Sequence, residues 1–244
     1  MRNQPSEITR IVADTGLGEV VARHRLSMAT ELSFAITYAV FAVFGLVFGD
    51  DLGKAMGAGV GVLAVVFAVP AWRKSRRLLY LCSGGLLTAT GTTVTQLLTW
   101  DDVAHLRVWN TRIYQLGPYE EFSRCVLTLT DGSTLNLSRP PYADIEQLAA
   151  AVEQRMTAVS HPRRTAEIAA TGATAFGPIT VTDSGIHDGE RFASWSDITR
   201  VERGRVRLRV FTRPGRPVIS RQVRTVPDVA VLVAIATERA GRPG

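Results

Sequence analysis

The chain has few of the residues from which covalent or metal-based chemistry is usually built. Its 244 residues include two cysteines, Cys82 and Cys125, and four histidines. Two cysteines are too few for a disulfide framework, and both lie in predicted strands, where we expect reduced, buried thiols. No histidines have metal-ligand spacing, and no serine stands in a Gly-x-Ser-x-Gly motif. The sequence therefore predicts no catalytic residue, no metal and no other cofactor.

Lysine is also scarce, and the excess positive charge is confined to the end of the chain. Lys54 and Lys74 are the only lysines. Residues 1–162 hold 14 basic and 14 acidic residues, whereas residues 163–244 hold 14 arginines and 8 acidic residues. The last third therefore carries the whole net charge of +6, which predicts attraction to anionic surfaces.

Two long apolar runs lie in the first third of the chain, with a charged turn between them. The first run, 32–48, would form a helix of about 26 Å, close to the bilayer core of about 30 Å. Its ten Leu, Ile, Val and Phe residues favour insertion by about 3–6 kcal/mol. The second run, 55–72, has seven such residues and three glycines. We predict a transmembrane helical hairpin over residues 32–72.

Glycines recur on one face of the second run. Gly53, Gly57 and Gly61 are spaced by four residues, and small residues at this spacing let helix backbones pack closely in a membrane. Gly45 and Gly49 offer a similar face on the first run. The partner of the glycine face is either the other helix of the hairpin or a second copy of the chain in a homodimer.

Basic residues flank the hairpin on both sides. Two arginines precede it, and four basic residues follow it: Arg73, Lys74, Arg76 and Arg77. The positive-inside rule then places both termini in the cytoplasm and the turn outside. We predict a multi-pass protein of the inner or plasma membrane, with the four following basic residues turned to the membrane surface or a partner.

The segment before the hairpin, residues 1–31, is predicted to be juxtamembrane. Its first 13 residues are polar, and Leu17, Val20, Val21 and Met28 fall roughly on one helical face. This spacing predicts a short helix, which either lies near the headgroups or docks on the soluble part of the chain. His24 interrupts the apolar face and has no partner motif.

After Arg77 the pattern changes to strands. Two stretches of β-rich segments, bounded by Gly, Pro and Asp, each end in one amphipathic helix. We predict an α+β fold with two modules, residues 78–158 and 165–240, joined by a linker at residues 160–165. Asp131-Gly132 predicts a hairpin turn in the first module.

The two modules share a spaced motif. CSGGLLT and LLTWDDVAHL in the first correspond to TDSGIHD and FASWSDITRV in the second. Glycine suits a tight turn, tryptophan offers a large surface to bury, and aspartate suits the turn into the next strand. The matched residues are Gly85, Trp100 and Asp102 in the first module and Gly185, Trp195 and Asp197 in the second. This arrangement resembles the bacterial pleckstrin-homology-like (PH-like) domain.

The resemblance implies a fold and no activity. Each module would be an antiparallel, partly open barrel of about seven strands, capped by its helix. Family members that bind inositol phosphates place Lys and Arg around the turn between their first two strands. The corresponding turns here, CSGG and TDSG, contain no basic residue, so the resemblance does not imply a specific phosphoinositide site.

The sequence RGRVRLRVF is the most distinctive charged feature. In a strand, Arg205, Arg207 and Arg209 would share one face, and Val206 and Leu208 would share the other. The arginine face is either solvated or a basic surface turned to anionic headgroups or to an acidic partner. Few aromatic residues lie nearby, so we expect no nucleic acid partner.

These patterns predict a membrane-anchored, non-enzymatic interaction or scaffolding protein with a protein partner. The first alternative is a sensor of anionic lipid or of the membrane surface that acts through the Arg-rich second module. The second alternative is an enzyme whose site is assembled from scattered residues, for which the sequence offers no motif.

Overall fold

The chain has an α+β fold in a computed structural model, which describes residues 10–27, 29–91, 93–113, 120–139 and 142–240. It divides into two compact units. The first consists of Met1–Leu98 and Pro140–Asp144, and the second of Thr99–Arg139 and Ile145–Gly244. The two units are groups of residues in mutual contact. The bounds of the two predicted modules stay a prediction.

The first unit contains a four-stranded antiparallel sheet and two long helices. In chain order these are β1 (Val20–Arg25), α1 (Ala29–Phe48), α2 (Asp51–Ser75), β2 (Arg77–Cys82), β3 (Gly85–Thr90) and β4 (Thr93–Thr99). The strands lie in the sheet in that order, and β1 pairs with β2 from Val20↔Cys82 to Arg25↔Leu78. The two helices therefore form the connection between two neighbouring strands.

A small apolar core stabilises this sheet. Leu78, Tyr80 and Cys82 of β2 are buried on it, since alternate residues of a strand share one face. Leu17 and Val12 close it, the latter from a helical turn at residues 10–14.

The segment before α1 is a strand, and the predicted juxtamembrane helix there is wrong. Val21, Arg23 and Arg25 are exposed, whereas His24 between them is buried, as the two-residue period of a strand requires. Pairing with β2 satisfies backbone groups that a short helix would leave to water. The helical spacing of the apolar residues was therefore outweighed by strand pairing. Residues 1–9 lie outside the described residues.

The second unit contains three antiparallel sheets and two helices. The first part is β5 (Val103–Ile113), β6 (Glu120–Leu129), β7 (Thr134–Asn136) and α3 (Ile145–Thr171). Next come β8 (Ala173–Phe176), β9 (Ile179–Thr182), β10 (Gly185–Asp188) and β11 (Arg191–Ser194). The chain then forms β12 (Arg200–Arg203), β13 (Arg207–Phe211), β14 (Ile219–Gln222) and α4 (Val229–Ala240).

Each sheet of this unit is a simple meander. The orders are β5-β6-β7, β8 to β11 in sequence, and β12-β13-β14. The predicted hairpin turn at Asp131-Gly132 is confirmed, because it joins β6 to β7 and Gly132 has φ of 84°. A core of buried residues from β8 to β14 packs on α4, with Phe176, Leu208 and Leu232 among its members.

The predicted linker at residues 160–165 is wrong, because these residues lie inside α3. A proline within a helix interior typically costs about 3 kcal/mol, since it removes a hydrogen bond and clashes with the preceding turn. Pro162 is nevertheless accommodated. Met156 before it and Ile168 after it are both buried, so packing on both sides offsets the cost of the proline.

The strand arrangement repeats along the chain. Among the described residues, a four-stranded sheet and then a three-stranded sheet precede α3, and the same succession precedes α4. The described strands form open antiparallel sheets, with no pairing that closes a barrel. The predicted module at residues 78–158 contains six described strands, β2 to β7, and the one at residues 165–240 contains seven, β8 to β14. The predicted barrel is not what the described strands form.

Candidate functional site

The helical pair α1–α2 presents apolar side chains outward along its length. Among the described residues, eighteen of the twenty-three exposed large hydrophobic side chains lie on these two helices. Phe41, Phe44 and Phe48 of α1 are 63, 64 and 74% exposed, and Leu52 and Val62 of α2 are 70 and 62% exposed. Contiguous apolar patches of this extent are rare on monomers in water and mark surfaces that contact a membrane or another protein.

Both helices are long enough to cross a bilayer. The spans Glu31–Phe48 and Asp51–Ser75 have a mean hydropathy of 1.9, and only 11% of each tested window is buried. A core helix of a soluble domain would be mostly buried. By length, composition and exposure, the two helices can therefore span a membrane.

The predicted glycine face of α2 lies against α1 of the same chain. A Cβ placed on Gly57 would lie 2.9 Å from the Leu46 nitrogen and 3.0 Å from the Ala42 oxygen, so only glycine fits there. Gly53 and Gly61 are less confined, with nearest α1 atoms at 3.8 and 3.7 Å. The closest approach is thus centred on Gly57, and the intramolecular alternative accounts for it.

The four basic residues after the second run lie where α2 meets β2. Arg73 and Lys74 occupy the last turn of α2, Arg76 caps it, and Arg77 begins β2. The Lys74 ammonium pairs with Glu31 in the first turn of α1, and the Arg76 guanidinium stacks 4.6 Å from the centre of the Trp72 ring. This end of the helical pair is therefore joined by an ion pair and lined with cations.

The two motif glycines occupy the same tight position in their sheets. A Cβ on Gly85 would lie 2.1 Å from the Leu98 oxygen, and one on Gly185 would lie 2.2 Å from the Ala193 oxygen. Leu98 and Ala193 each precede the motif tryptophan by two residues. The glycine is required in both places by the same close backbone approach.

The motif aspartates also make matching contacts. Asp102 accepts hydrogen bonds from the Thr99 hydroxyl (2.6 Å) and backbone N–H (3.0 Å), and Asp197 accepts one from the Ser194 hydroxyl (2.9 Å). The Thr99 hydroxyl and then its N–H lower the pKa of Asp102. In each case the partner lies three residues before the aspartate, so both aspartates fix the turn into the next strand.

The motif tryptophans are less alike. Trp100 is 4% exposed. Trp195 is partly buried, and its indole N–H donates to the Thr182 oxygen at 3.1 Å.

The predicted arginine face is only partly as expected. Arg207 and Arg209 are exposed on β13 with buried Leu208 between them. Arg205 lies before the strand, in the turn after β12, and its guanidinium pairs with Glu121 at 3.1 Å. Val206 is 58% exposed, so its predicted place on the apolar face is wrong, because β13 begins one residue later.

A buried polar network in the second unit was not foreseen. Asp228, just before α4, is 2% exposed at its side chain and has φ of 49°. Its carboxylate accepts from the Leu106 N–H (2.7 Å) and lies 2.9 Å from His105 Nδ1 and 3.6 Å from Arg164 Nη2. Its own N–H donates to the Leu106 oxygen at 2.7 Å. Asp228 thus joins β5, α3 and α4 through one side chain.

A second unforeseen pair lies in the first unit. Buried His24 of β1 bonds to Asp144 through Nδ1 at 2.7 Å, and the Ala143 N–H donates to the Arg25 oxygen at 3.0 Å. Residues 142–144 therefore extend the pairing of β1. Both Asp144 and Asp228 stand directly before a predicted helix. In the sequence this position indicates a helix cap, and it does not indicate the distant residue to which each aspartate bonds.

Comparison with known proteins gives one match. A family model described as "Family of unknown function (DUF6585)" matches residues 2–241. No curated protein and no solved structure matches the chain significantly.

Proposed function

Because the chain belongs to DUF6585, a family of unknown function, its role rests on its own residues, and we propose that it is a membrane-anchored, non-enzymatic interaction or scaffolding protein. In this proposal the α1–α2 pair spans the inner or plasma membrane as a hairpin. Both termini and the sheets lie in the cytoplasm, as the basic residues around the hairpin favour. A protein partner, of unknown identity, binds the cytoplasmic part.

One observation carries this proposal: the apolar helices occupy the connection between paired strands. β1 and β2 pair antiparallel and are joined through residues 26–76, whereas β8 and β9 are joined by Gly177 and Pro178 alone. A hairpin built into a sheet in this way holds the sheet close to the bilayer, with almost no linker on either side.

The repeated strand succession supports tandem PH-like modules as the cytoplasmic part. The matching surroundings of Gly85 and Gly185, and the matching partners of Asp102 and Asp197, support the same interpretation. In this proposal each module has a four-stranded sheet, a three-stranded sheet and a closing helix, α3 or α4. The first module would then begin at β1, before the hairpin.

Membrane insertion is tested by washing isolated membranes with carbonate at high pH and with concentrated salt. We expect the full-length protein to stay in the membrane fraction, and its release would overturn the anchor. Val40→Arg, in the middle of α1, should reduce retention, since arginine costs about 2.5–3.5 kcal/mol at a helix centre. The matched control is Val21→Arg, at an exposed position of β1, which should leave the retention of the protein in membranes unchanged.

Orientation is tested by a membrane-impermeant thiol reagent applied to intact cells. Asp51→Cys, at the start of α2, should be labelled from outside. Glu190→Cys, in the exposed turn between β10 and β11, should be labelled only after the membrane is permeabilised. The reverse pattern would overturn the proposed orientation.

The scaffolding role is tested by crosslinking in native membranes and purification of the full-length protein. We expect one protein at constant stoichiometry in the crosslinked species. A product that contains only a second copy of the chain would favour a homodimer instead.

A second candidate function is binding of an anionic membrane surface. It is favoured by Arg207 and Arg209, which are exposed on β13 and have no carboxylate within ion-pair distance among the described residues. The neighbouring Glu202 pairs with Arg200 at 3.0 Å. Replacing both arginines by alanine should weaken binding to phosphatidylglycerol vesicles, and unchanged binding would count against this function.

A further inference from the structure

A cleft lined mainly by polar and charged residues lies in the second unit, between the edge of β5 and the turn that joins β12 to β13. Its volume is about 310 Å³, near the lower end of small-molecule sites, which span about 300–1,000 Å³. The residues used below are Trp109, Asn110, Arg112, Arg205, Gln222 and Arg224. The cleft is far in sequence from the motif turns at which related lipid-binding domains take their ligands.

Contacts at one end of the cleft fix the position of the turn between β12 and β13 relative to β5. The Arg203 guanidinium pairs with Glu153 of α3 at 2.6 Å and donates to the Val108 oxygen of β5 at 3.4 Å. The Gly204 N–H bonds to the Arg207 oxygen at 2.9 Å and closes the turn. Because the turn is fixed beside β5, the Arg205 side chain is held at the cleft before any ligand binds.

The cleft has more cationic than anionic groups. Arg112 Nε and Arg205 Nη1 approach the same oxygen, Oε1 of Glu121, at 2.9 and 3.1 Å. Arg224 Nε donates to the Gln222 amide oxygen at 2.8 Å, and not to a carboxylate. Arg205 therefore shares its carboxylate with a second guanidinium group, and the Gln222 amide that binds Arg224 is uncharged, so the positive charge of these two arginines is only partly neutralised.

We propose that this cleft binds a ligand that carries a phosphomonoester group. Such a group carries about −1.5 to −2 charges at neutral pH, which complements the positive charge of Arg205 and Arg224. The planar guanidinium groups of Arg205 and Arg224 bind phosphate oxygens in pairs. Asn110 provides amide hydrogen-bonding groups to the rest of the ligand, and Trp109 provides an apolar wall.

Glu121 has a second effect on the site. Its carboxylate fixes Arg112 and Arg205 and at the same time repels an incoming anion. Soluble phosphorylated compounds and lipid headgroups both present a phosphomonoester, so the two sources share this chemistry. A phosphodiester carries a single charge and matches the cleft less well.

The test uses the full-length protein in phosphatidylcholine vesicles, with glycerol 3-phosphate as the probe and calorimetry as the readout. We expect saturable binding, and binding at least tenfold weaker in the double variant Arg205→Ala/Arg224→Ala. The matched control is Arg213→Ala/Arg216→Ala, which removes the same charge from the exposed turn between β13 and β14. It should change the affinity less than threefold.

Two further variants sharpen the result. Glu121→Gln should strengthen binding several-fold, because the repulsive charge is removed while an amide oxygen still accepts hydrogen bonds from the arginines. Trp109→Phe should abolish any change in tryptophan fluorescence on binding, which places the probe in the cleft.

The sources are separated by adding phosphatidic acid to the same vesicles. Competition with glycerol 3-phosphate would assign the site to a lipid headgroup, and unchanged affinity would assign it to a soluble ligand; both support the site. Absence of saturable binding, or equal losses in the two arginine pairs, would overturn the proposal. Neither result would change the retention of the protein in membranes. The proposal of a membrane anchor and the proposal of this binding site are therefore tested separately.

Discussion

Removal of the Asp228 carboxylate should destabilise the second unit through one identified hydrogen bond. The Leu106 N–H is buried and donates to Asp228 Oδ1 at 2.7 Å. In Asp228→Ala this N–H loses its acceptor, which costs about 1–3 kcal/mol. The left-handed φ of 49° costs alanine about 1 kcal/mol more. Loss of the charge beside His105 and Arg164 adds about 1 kcal/mol, so we expect a total loss of about 4 kcal/mol in the free energy of unfolding.

Two further variants separate these contributions. Asp228→Asn keeps the acceptor and tolerates the left-handed backbone, so it loses only the charge beside His105 and Arg164, about 1 kcal/mol. Asp228→Gly removes the acceptor and relieves the backbone, so it should fall between the other two. The expected order of stability is wild type, then Asn, then Gly, then Ala.

The assay is thermal unfolding of the full-length protein in detergent micelles, combined with amide hydrogen exchange. At about 2–4 °C per kcal/mol for a chain of this size, Asp228→Ala should lower Tm by roughly 12 °C and Asp228→Asn by roughly 3 °C. Exchange at Leu106 should accelerate by about a hundredfold in Asp228→Ala, in proportion to the cost of local opening. If Ala and Asn agreed within about 0.5 kcal/mol, the hydrogen bond to Leu106 would not be the source of the stability.

Two more predictions concern the motif glycines and the buried thiols. Gly85→Ala and Gly185→Ala should each lower the free energy of unfolding by about 1–3 kcal/mol, because a Cβ within 2.2 Å of a carbonyl oxygen forces the backbone apart. Chemical denaturation should give similar losses for the two variants. A substitution without effect at either position would contradict the shared geometry. Burial, with a smaller contribution from Glu153, raises the pKa of Cys125 to about 12, so at pH 8 roughly one thiol in ten thousand is ionised. Iodoacetamide should therefore leave Cys125 unmodified in the native protein and modify it after denaturation, as mass spectrometry of the tryptic peptides would show.

Local patterns in the sequence predict the two apolar helices and one tight turn well. The two apolar runs predict the bounds of α1 and α2 to within a few residues, and Asp131-Gly132 predicts the hairpin turn between β6 and β7. These features depend on neighbouring residues in the chain, so they can be read without tertiary information.

Features that depend on distant partners could not be predicted. β1 looks helical by spacing and becomes a strand only because β2, more than fifty residues later, supplies its hydrogen-bond partners. Pro162 suggests a break, and α3 continues because Met156 and Ile168 are both buried by other elements. The cleft combines Arg112 with Arg205 and Arg224, which no spacing in the sequence relates. The arginine pattern was visible, but the turn that separates Arg205 from Arg207 and Arg209 was not.

The two apolar helices lie between β1 and β2, so they can be removed without breaking a strand of the first sheet. Turns are the positions where a chain can be lengthened or shortened at least cost to the paired strands. A chain in which residues 27–76 are replaced by a dipeptide like Gly177-Pro178 would keep β1 beside β2. It would also lose most of the exposed large apolar side chains of the described residues. We expect this excision to give a form of the protein that keeps all four sheets and can be used for crystallisation and for ligand screening.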